Sequence, residues 1–337
     1  MLDNIKLLQK LVEIESLSGQ EKKAANFLIR HTKKLNFDKT YKDDAGNFVA
    51  ERGGGNNIIL LVGHVDTVSG KIPVRIKNNN LYGRGSVDAK GCLATFISAV
   101  NNLVNLENNK FIIIGAVEEE CETSKGAKFI LDKYNPNAIF IGEPSGWSNI
   151  TIGYKGSLRL EYADECQNLH YANPDSNLIN KAINFINNLK NNLSEDEILE
   201  IRNFNTTNNG LTQKVNIKIN IRTSPNFNIN KIDNLLKNKQ ITIKENIPGI
   251  IANKNNFLVK SMLKSIRKSS GKPKFLRKTG TSDFNYLAKN WPNIPILAYG
   301  PGNSKLDHAP NEHLDLNEYK KAIKVLTFAL NSVKMGA

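Results

Sequence analysis

The sequence predicts an α/β fold: a mainly parallel sheet domain interrupted by an inserted α+β segment. Three observations carry this. Short apolar runs at residues 58–62, 111–117 and 138–141, each bounded by polar residues or glycine, read as buried strands. Helical patterns at 92–104 and 124–134 lie between them, the alternation that produces a parallel layer. After Gly156 the texture changes, and from about Ile251 the α/β texture resumes.

Taken in order, residues 3–35 carry a helical pattern through Ile5, Leu8, Leu11 and Val12, then Ala24, Phe27 and Leu28. Beyond Gly156, residues 157–163 and 215–221 alternate as strands, and 177–189 and 231–236 read as helices. The Asn-rich stretches 203–209 and 253–256 read as loops. Helices at 257–269 and 316–332 flank a strand at 296–299. The expected organisation is therefore 1–155 and 249–337 for one domain, with 156–248 inserted.

A chain of 337 residues is long enough for about two such cores. No apolar stretch approaches the ~20 residues of a membrane span, so no membrane partner is expected. The first residues lack the basic start, apolar block and small-residue cleavage site of a signal peptide. Cys92, Cys121 and Cys166 are odd in number and widely spaced, which fits a reduced compartment, taken as the cytoplasm. The net charge of +14 is compatible with nucleic acid, an acidic membrane surface, an acidic protein or compositional drift. No long Lys/Arg run and no nucleic-acid motif accompanies it, so no nucleic-acid partner is expected.

Ligands of open α/β sheets gather beyond the carboxyl ends of the strands. Here one strand ends in Gly63-His64-Val65-Asp66, a second in Glu118-Glu119-Glu120, and a third in Gly142-Glu143-Pro144. Asp88 lies in the Gly-rich turn "YGRGSVDAKG", and "GPGNSKLDHAPNEH" brings His308 and His313. The Gly-rich turn carries Arg84 but lacks both phosphate-loop spacings. Clustered carboxylates repel unless protonated or bound to cations. Two Zn²⁺ ions would satisfy them, with Asp88 as the bridging carboxylate. Strand alternation puts His64 and Asp66 on one side, so Asp66 is expected to orient His64 and not to bind metal.

The stretches "GHVDTV", "LYGRGSVDAKG", "AVEEECETSKGA", "IGEPS", "GYKGSLRLEY", "KTGTSDFN" and "HAPNEHL" run from residue 63 to 314. In that order they resemble the co-catalytic zinc metallopeptidase family of N-acetylornithine deacetylase, succinyl-diaminopimelate desuccinylase and glutamate carboxypeptidase. The resemblance is strongest to the branch that hydrolyses amino-group carrier protein conjugates of lysine or ornithine. It implies a zinc-peptidase-like catalytic domain with an inserted dimerisation (lid) domain, a homodimer, and two Zn²⁺ per subunit with Co²⁺ as an alternative. The implied substrate is lysine or ornithine on the C-terminal glutamate of an acidic carrier protein, in lysine or arginine biosynthesis. Acylated free amino acids, as for the deacetylase and desuccinylase, are the alternative.

The resemblance also implies residue roles. His64, Asp88 and Glu143 would hold one metal, and Asp88, Glu119 and His308 the other. Glu118 would be the general base, and His170 of "HYANP" would stabilise the oxyanion from the other subunit. Arg222 would bind a substrate carboxylate through its guanidinium fork, with Gly280, Thr281 and Ser282 also at the substrate. A cis peptide is expected at Asp88–Ala89. Val117 stands where the family has an acid, so the triplet permits two registers, Glu118/Glu119 or Glu119/Glu120. Aligning the preceding strand, residues 112–116, with the family's strand selects the first. His313 is assigned to a loop or to the outer shell of the site, and His31 to an exposed helix face.

Overall fold

The computed structural model describes residues 4–170, 173 and 178–333. Asp3, Tyr171, Ala172, Pro174 and Asn177, which fall in expected elements or motifs, lie outside the described residues. The chain forms two compact units: Met1–Gly153, Ala252–Arg277 and Ser282–Ala337 in one, Tyr154–Ile251 and Lys278–Thr281 in the other. The limits fall at 153/154 and 251/252, against the expected 155/156 and 248/249, and the inserted unit also takes Lys278–Thr281.

The larger unit begins with α1 (Asn4–Glu13), α2 (Lys22–Thr32), β1 (Lys39–Lys42), β2 (Phe48–Arg52) and β3 (Asn57–His64). There follow β4 (Arg75–Lys77), β5 (Asn80–Tyr82), α3 (Lys90–Asn101), β6 (Asn109–Ala116), α4 (Lys125–Ile130), β7 (Ala138–Ile141) and β8 (Asn149–Tyr154). The inserted unit contains β9 (Gly156–Gln167), α5 (Leu178–Asn191), β10 (Ile198–Asn208), β11 (Thr212–Thr223), α6 (Asp233–Leu236), β12 (Ile241–Ile247) and β13 (Ile250–Ile251). The chain closes with α7 (Phe257–Lys268), β14 (Lys274–Lys278), α8 (Asp283–Asn290), β15 (Ile296–Ala298), β16 (His313–Asp315) and α9 (Leu316–Asn331).

The principal sheet runs β1-β2-β6-β3-β7-β15-β8. Its centre, β6-β3-β7-β15, is parallel, while β2 and β8 join antiparallel. Parallel strands need cover on both faces, and the sequence provides for it. Ile59, Leu61, Ile113 and Phe140 are buried on one side, and Leu60, Val62, Ile112 and Ile139 on the other. Because the four central strands are parallel, their carboxyl ends share one edge. Gly63 and Gly115 are paired near that edge. A Cβ on Gly115 would meet Val65 Cγ1 at 2.7 Å, so a side chain there would push the β3 exit away from β6.

Polar residues set the limits of the helices. Asn256 accepts from Val259 N at the start of α7, and Asp315 from Asn317 N and Glu318 N at the start of α9. Ser282 and Asn285 form a reciprocal cap on α8. The buried Lys90 ammonium donates to Ile14 O just past the end of α1, where free carbonyls favour a cation. The chain leaves and re-enters the larger unit at adjacent points, since Ala252 N donates to Ile152 O at 2.7 Å.

The inserted unit is an antiparallel sheet, β10-β11-β9-β12, with α5 on one face. Leu158, Leu160, Tyr162, Ile217 and Ile219 face Leu178, Ala182, Phe185 and Leu189 in its core. Residues 203–209, expected as a loop, lie almost wholly in β10. Among the described residues that strand pairs only with β11, and it is exposed on nearly every residue, so it needs no apolar alternation. The sequence also gave no signal for β1, β2, β8, β12, β14 or α8.

Asn47 is fully buried and ties three segments together. Its side chain accepts from Val117 N at 3.0 Å and donates to Asp43 Oδ2 and Gly126 O. Asn47→Ala should cost about 1–3 kcal/mol of unfolding free energy, the penalty for stranded buried polar groups. Urea denaturation should show this as a lower midpoint with an unchanged slope.

Candidate metal centre

Exits of β3, β6 and β7 at the parallel edge, with the loop after β5 and the loop before β16, supply the site. His64 ends β3 with its side chain 2% exposed. Its Nδ1 lies 3.0 Å from Asp66 O and 3.4 Å from Asp66 Oδ1, and its Nε2 lies 3.3 Å from Asp88 Oδ1. The other Asp88 oxygen, Oδ2, lies 3.1 Å from His308 Nε2. His308 Nε2 is also 3.0 Å from Glu120 Oε1. Asp88 thus stands between two imidazoles, one on each oxygen. The Asp88–Ala89 peptide is cis.

Two groups of side chains each bring ligand atoms within 4.8 Å of one another: His64, Asp88 and Glu143, and Asp88, Glu120 and His308. The second differs from the expected set. Glu120, not Glu119, lies with Asp88 and His308, and the expected base Glu118 points elsewhere. Its Oε2 accepts from Thr123 Oγ1 at 2.5 Å, and its Oε1 is 3.8 Å from Lys125 Nζ. The cause is local. β6 ends at Ala116, and Glu118 adopts a left-handed φ of 58°. This reversal lies beyond the strand whose alignment with the family selected the first register, so alternation does not carry through the triplet.

Asp66 fixes the turned segment. Its carboxylate accepts from Glu119 N at 3.2 Å, Glu120 N at 2.9 Å and Ser18 Oγ at 2.7 Å. Beside it, Glu21 accepts from Glu118 N at 3.1 Å. One carboxylate therefore sets both the His64 ring and the acidic turn. The sequence offered no signal for the second contact, nor for Ser18 and Glu21 in "SLSGQE".

Charge is unbalanced here. Burial, then the Asp283, Glu143 and Glu120 carboxyls, push Glu119 well above the usual range against the opposing pull of His64. Burial raises Asp283 to about 8. Asp283 N donates to Glu119 Oε1 at 3.3 Å, and Asp283 Oδ1 is buried without a hydrogen-bond partner. Hydrogen bonds to the Asp88 and Glu120 carboxylates raise His308 to about 10. Burial alone would lower His64, but bonds to Asp66 and Asp88 hold it well above its ordinary value. Imidazole nitrogens and carboxylate oxygens around an excess of buried acid fit a pair of divalent cations.

The remaining expected residues are placed as follows. In the inserted unit, Arg222 Nη1 donates to Thr281 Oγ1 at 2.8 Å, and that hydroxyl donates to Lys155 O. Gly280 has open space where a Cβ would stand. His170 follows β9 and is exposed; its carbonyl accepts from Asn173 N. In the larger unit, Ser282 caps α8. His313 lies in β16, stacked on Tyr82 with ring centroids 4.8 Å apart. His31 is half-buried against Phe27 and not exposed, because α2 turns that face inward.

A model of peptidase family M20/M25/M40 matches residues 60–332. The chain belongs to that family. This M20 chain is 38% identical over 352 residues to a "[LysW]-lysine hydrolase" of Deinococcus radiodurans, covering 98% of this chain and 97% of the relative. It is 32% identical over 336 residues to a "[LysW]-lysine/[LysW]-ornithine hydrolase" of Saccharolobus islandicus, covering 97% and 95%. A Staphylococcus aureus tripeptidase structure matches with a TM-score of 0.79 at 18% identity over 97% of each chain. An M20 family metallo-carboxypeptidase from Sulfolobus solfataricus matches at 0.74 and 19%, over 98% of this chain and 99% of that one. These two share the fold.

Glu120→Gln should weaken uptake of one metal equivalent by about 10-fold or more, while Glu118→Gln leaves uptake near wild type. Isothermal titration of metal-free protein checks this. The same titration should release protons. His308 is held protonated to about 10, so its contribution to metal-free stability is present below about 6.5 and lost as pH rises through about 10. Metal must displace that proton, so affinity should rise with pH across neutrality. Titration at two pH values in buffers of different ionisation enthalpy measures both.

Proposed function

We propose that the protein is a two-metal amide hydrolase that releases lysine or ornithine from the C-terminal glutamate of an acidic amino-group carrier protein. The observation that carries this reading is Asp88 shared between two ligand groups, in a chain 38% identical to a "[LysW]-lysine hydrolase" along nearly its whole length. His64, Asp88 and Glu143 would hold one ion, and Asp88, Glu120 and His308 the other. A donor set of imidazole and carboxylate suits Zn²⁺, with Co²⁺ as an alternative. When bound, the pair supplies Lewis acidity toward the amide carbonyl and toward water.

The chain's own residues would do the rest. Glu119 is the proposed general base, replacing Glu118 in the expected scheme. Its carboxyl is raised by burial, which suits a group that accepts a proton from water and returns it to the departing amine. Asp66 keeps His64 Nε2 directed at the shared site and holds the peptide carrying Glu119. Arg222, braced by Thr281, would take a substrate carboxylate, with Gly280 and Ser282 beside it. His170 would donate to the oxyanion, from the partner subunit of a homodimer. The exposed β10 edge, with Ile201 and Phe204, and the exposed Ile179 and Ile183 of α5 support such a dimer. Cys92, Cys121 and Cys166 are thiols, and among the described residues no helix is long and apolar enough to cross a membrane. Both fit the cytoplasm. The charge of +14 would steer an acidic carrier to the enzyme.

Carrier–lysine and carrier–ornithine conjugates should exceed acetylated or succinylated free amino acids in kcat/KM by about 100-fold, a difference of about 2.7 kcal/mol. Parity or reversal would assign the enzyme to free acylated substrates. Activity on the conjugate should fall as salt screens the encounter. Glu119→Gln should lower kcat by about 100-fold or more while Glu118→Gln does not.

A further inference from the structure

Asp88 and His308 lie far apart in sequence, and neither rests on the principal sheet. The pairing of β5 with β16 brings their loops together, with Tyr82 opposite His313. The loop leaving β5 carries Asp88, and the loop entering β16 carries His308. Between them stands Glu312, whose carboxylate is fully buried. Its Oε1 accepts from Val87 N at 2.8 Å and Asp88 N at 3.1 Å. Its Oε2 accepts from Arg84 Nη1 at 2.8 Å. Arg84 also donates to Ala309 O at 3.2 Å and Gly70 O at 3.1 Å, and Gly83 N donates to Glu312 O at 3.2 Å.

We propose that Glu312, with Arg84, is a positioning residue that fixes Asp88 against His308 and thereby selects for the metal ion held by Asp88, Glu120 and His308. The proposal rests on the two-metal reading above. His308 cannot hold its own place by packing: its side chain is 50% exposed and its φ is 60°. The clamp, with Glu312 four residues after His308 and Arg84 four before Asp88, supplies what packing does not. The other ligand group is anchored differently. His64 ends β3, and Glu143 follows β7, where Gly142 N donates to Val62 O at 2.7 Å. Loss of the clamp should therefore weaken that ion less, because it reaches that group through the shared Asp88 alone. A buried ion pair that loses one member leaves the other uncompensated, so the effect passes through the Asp88 peptide and not through bulk.

The test is stepwise Co²⁺ titration of metal-free wild type, Glu312→Gln, His308→Ala and His64→Ala, followed by visible absorption and calorimetry. Circular dichroism melting of the metal-free forms monitors the fold. Glu312→Gln keeps an oxygen for the two backbone N–H groups but loses the acceptor for Arg84. Its second equivalent should bind about 10–100-fold more weakly, the usual effect of removing a group that orients a ligand. Its first should weaken severalfold less, since two of its three ligands, His64 and Glu143, end or follow strands of the principal sheet. The spectrum at one equivalent should match that of His308→Ala and not that of His64→Ala. Equal weakening of both steps, or of neither, overturns the proposal. Should Glu312→Gln not fold, Arg84→Lys, which keeps the charge but not the whole fork, carries the same outcomes. A wild type that takes up only one equivalent overturns the two-metal reading and the proposal with it. Two equivalents in wild type with an unchanged variant overturn the proposal alone.

Discussion

Asp66, Asp88, Glu119, Glu120, Glu143 and Asp283 crowd the carboxyl edge of a parallel sheet against only two imidazoles, His64 and His308. That surplus of negative charge, drawn out of water, is the constraint to which the rest of the molecule answers. Repulsion in such a place is relieved by protons, by backbone N–H groups or by cations. The chain uses the first two visibly. Asp66 lies beside the His64 ring and accepts from Glu120 N and Ser18 Oγ, which together hold it below the usual range despite burial. Glu119 and Asp283 are left with raised affinity for protons. What remains is a demand for positive charge at Asp88, between the two rings.

Much of this was legible in the sequence. The apolar runs and their helical separators located the central strands, because strands buried on both faces must be apolar throughout. His64, Asp88, Glu143 and His308 stood out because each follows such a run or a Gly-rich turn. Two things were hidden. Three consecutive glutamates carry no internal marker of which one faces the cleft, and a left-handed residue after β6 decides it. Exposed β10 carries Asn, Thr and Arg where buried strands carry Ile and Val, so its backbone pairing left no trace in composition. Glu312 and Ser18 were equally silent, since a residue that acts through another's backbone needs no motif of its own chemistry.

The comparisons divide along the same line. Structures at 18% and 19% identity share the architecture over nearly the whole chain. Such likeness conveys a sheet edge with its exits and says little about which amide is cut.

The hydrogen bond from Ala252 to Ile152 bears on how such change is tolerated. Because residues 154–251 depart and return at one place, the larger unit sees that stretch as a closed loop. Closure entropy grows only with the logarithm of loop length, about 0.6 kcal/mol for each doubling. Lengthening, shortening or remodelling that loop therefore perturbs the host core almost not at all. A lineage can explore new insertions on this scaffold while the charge-rich edge stays as it is.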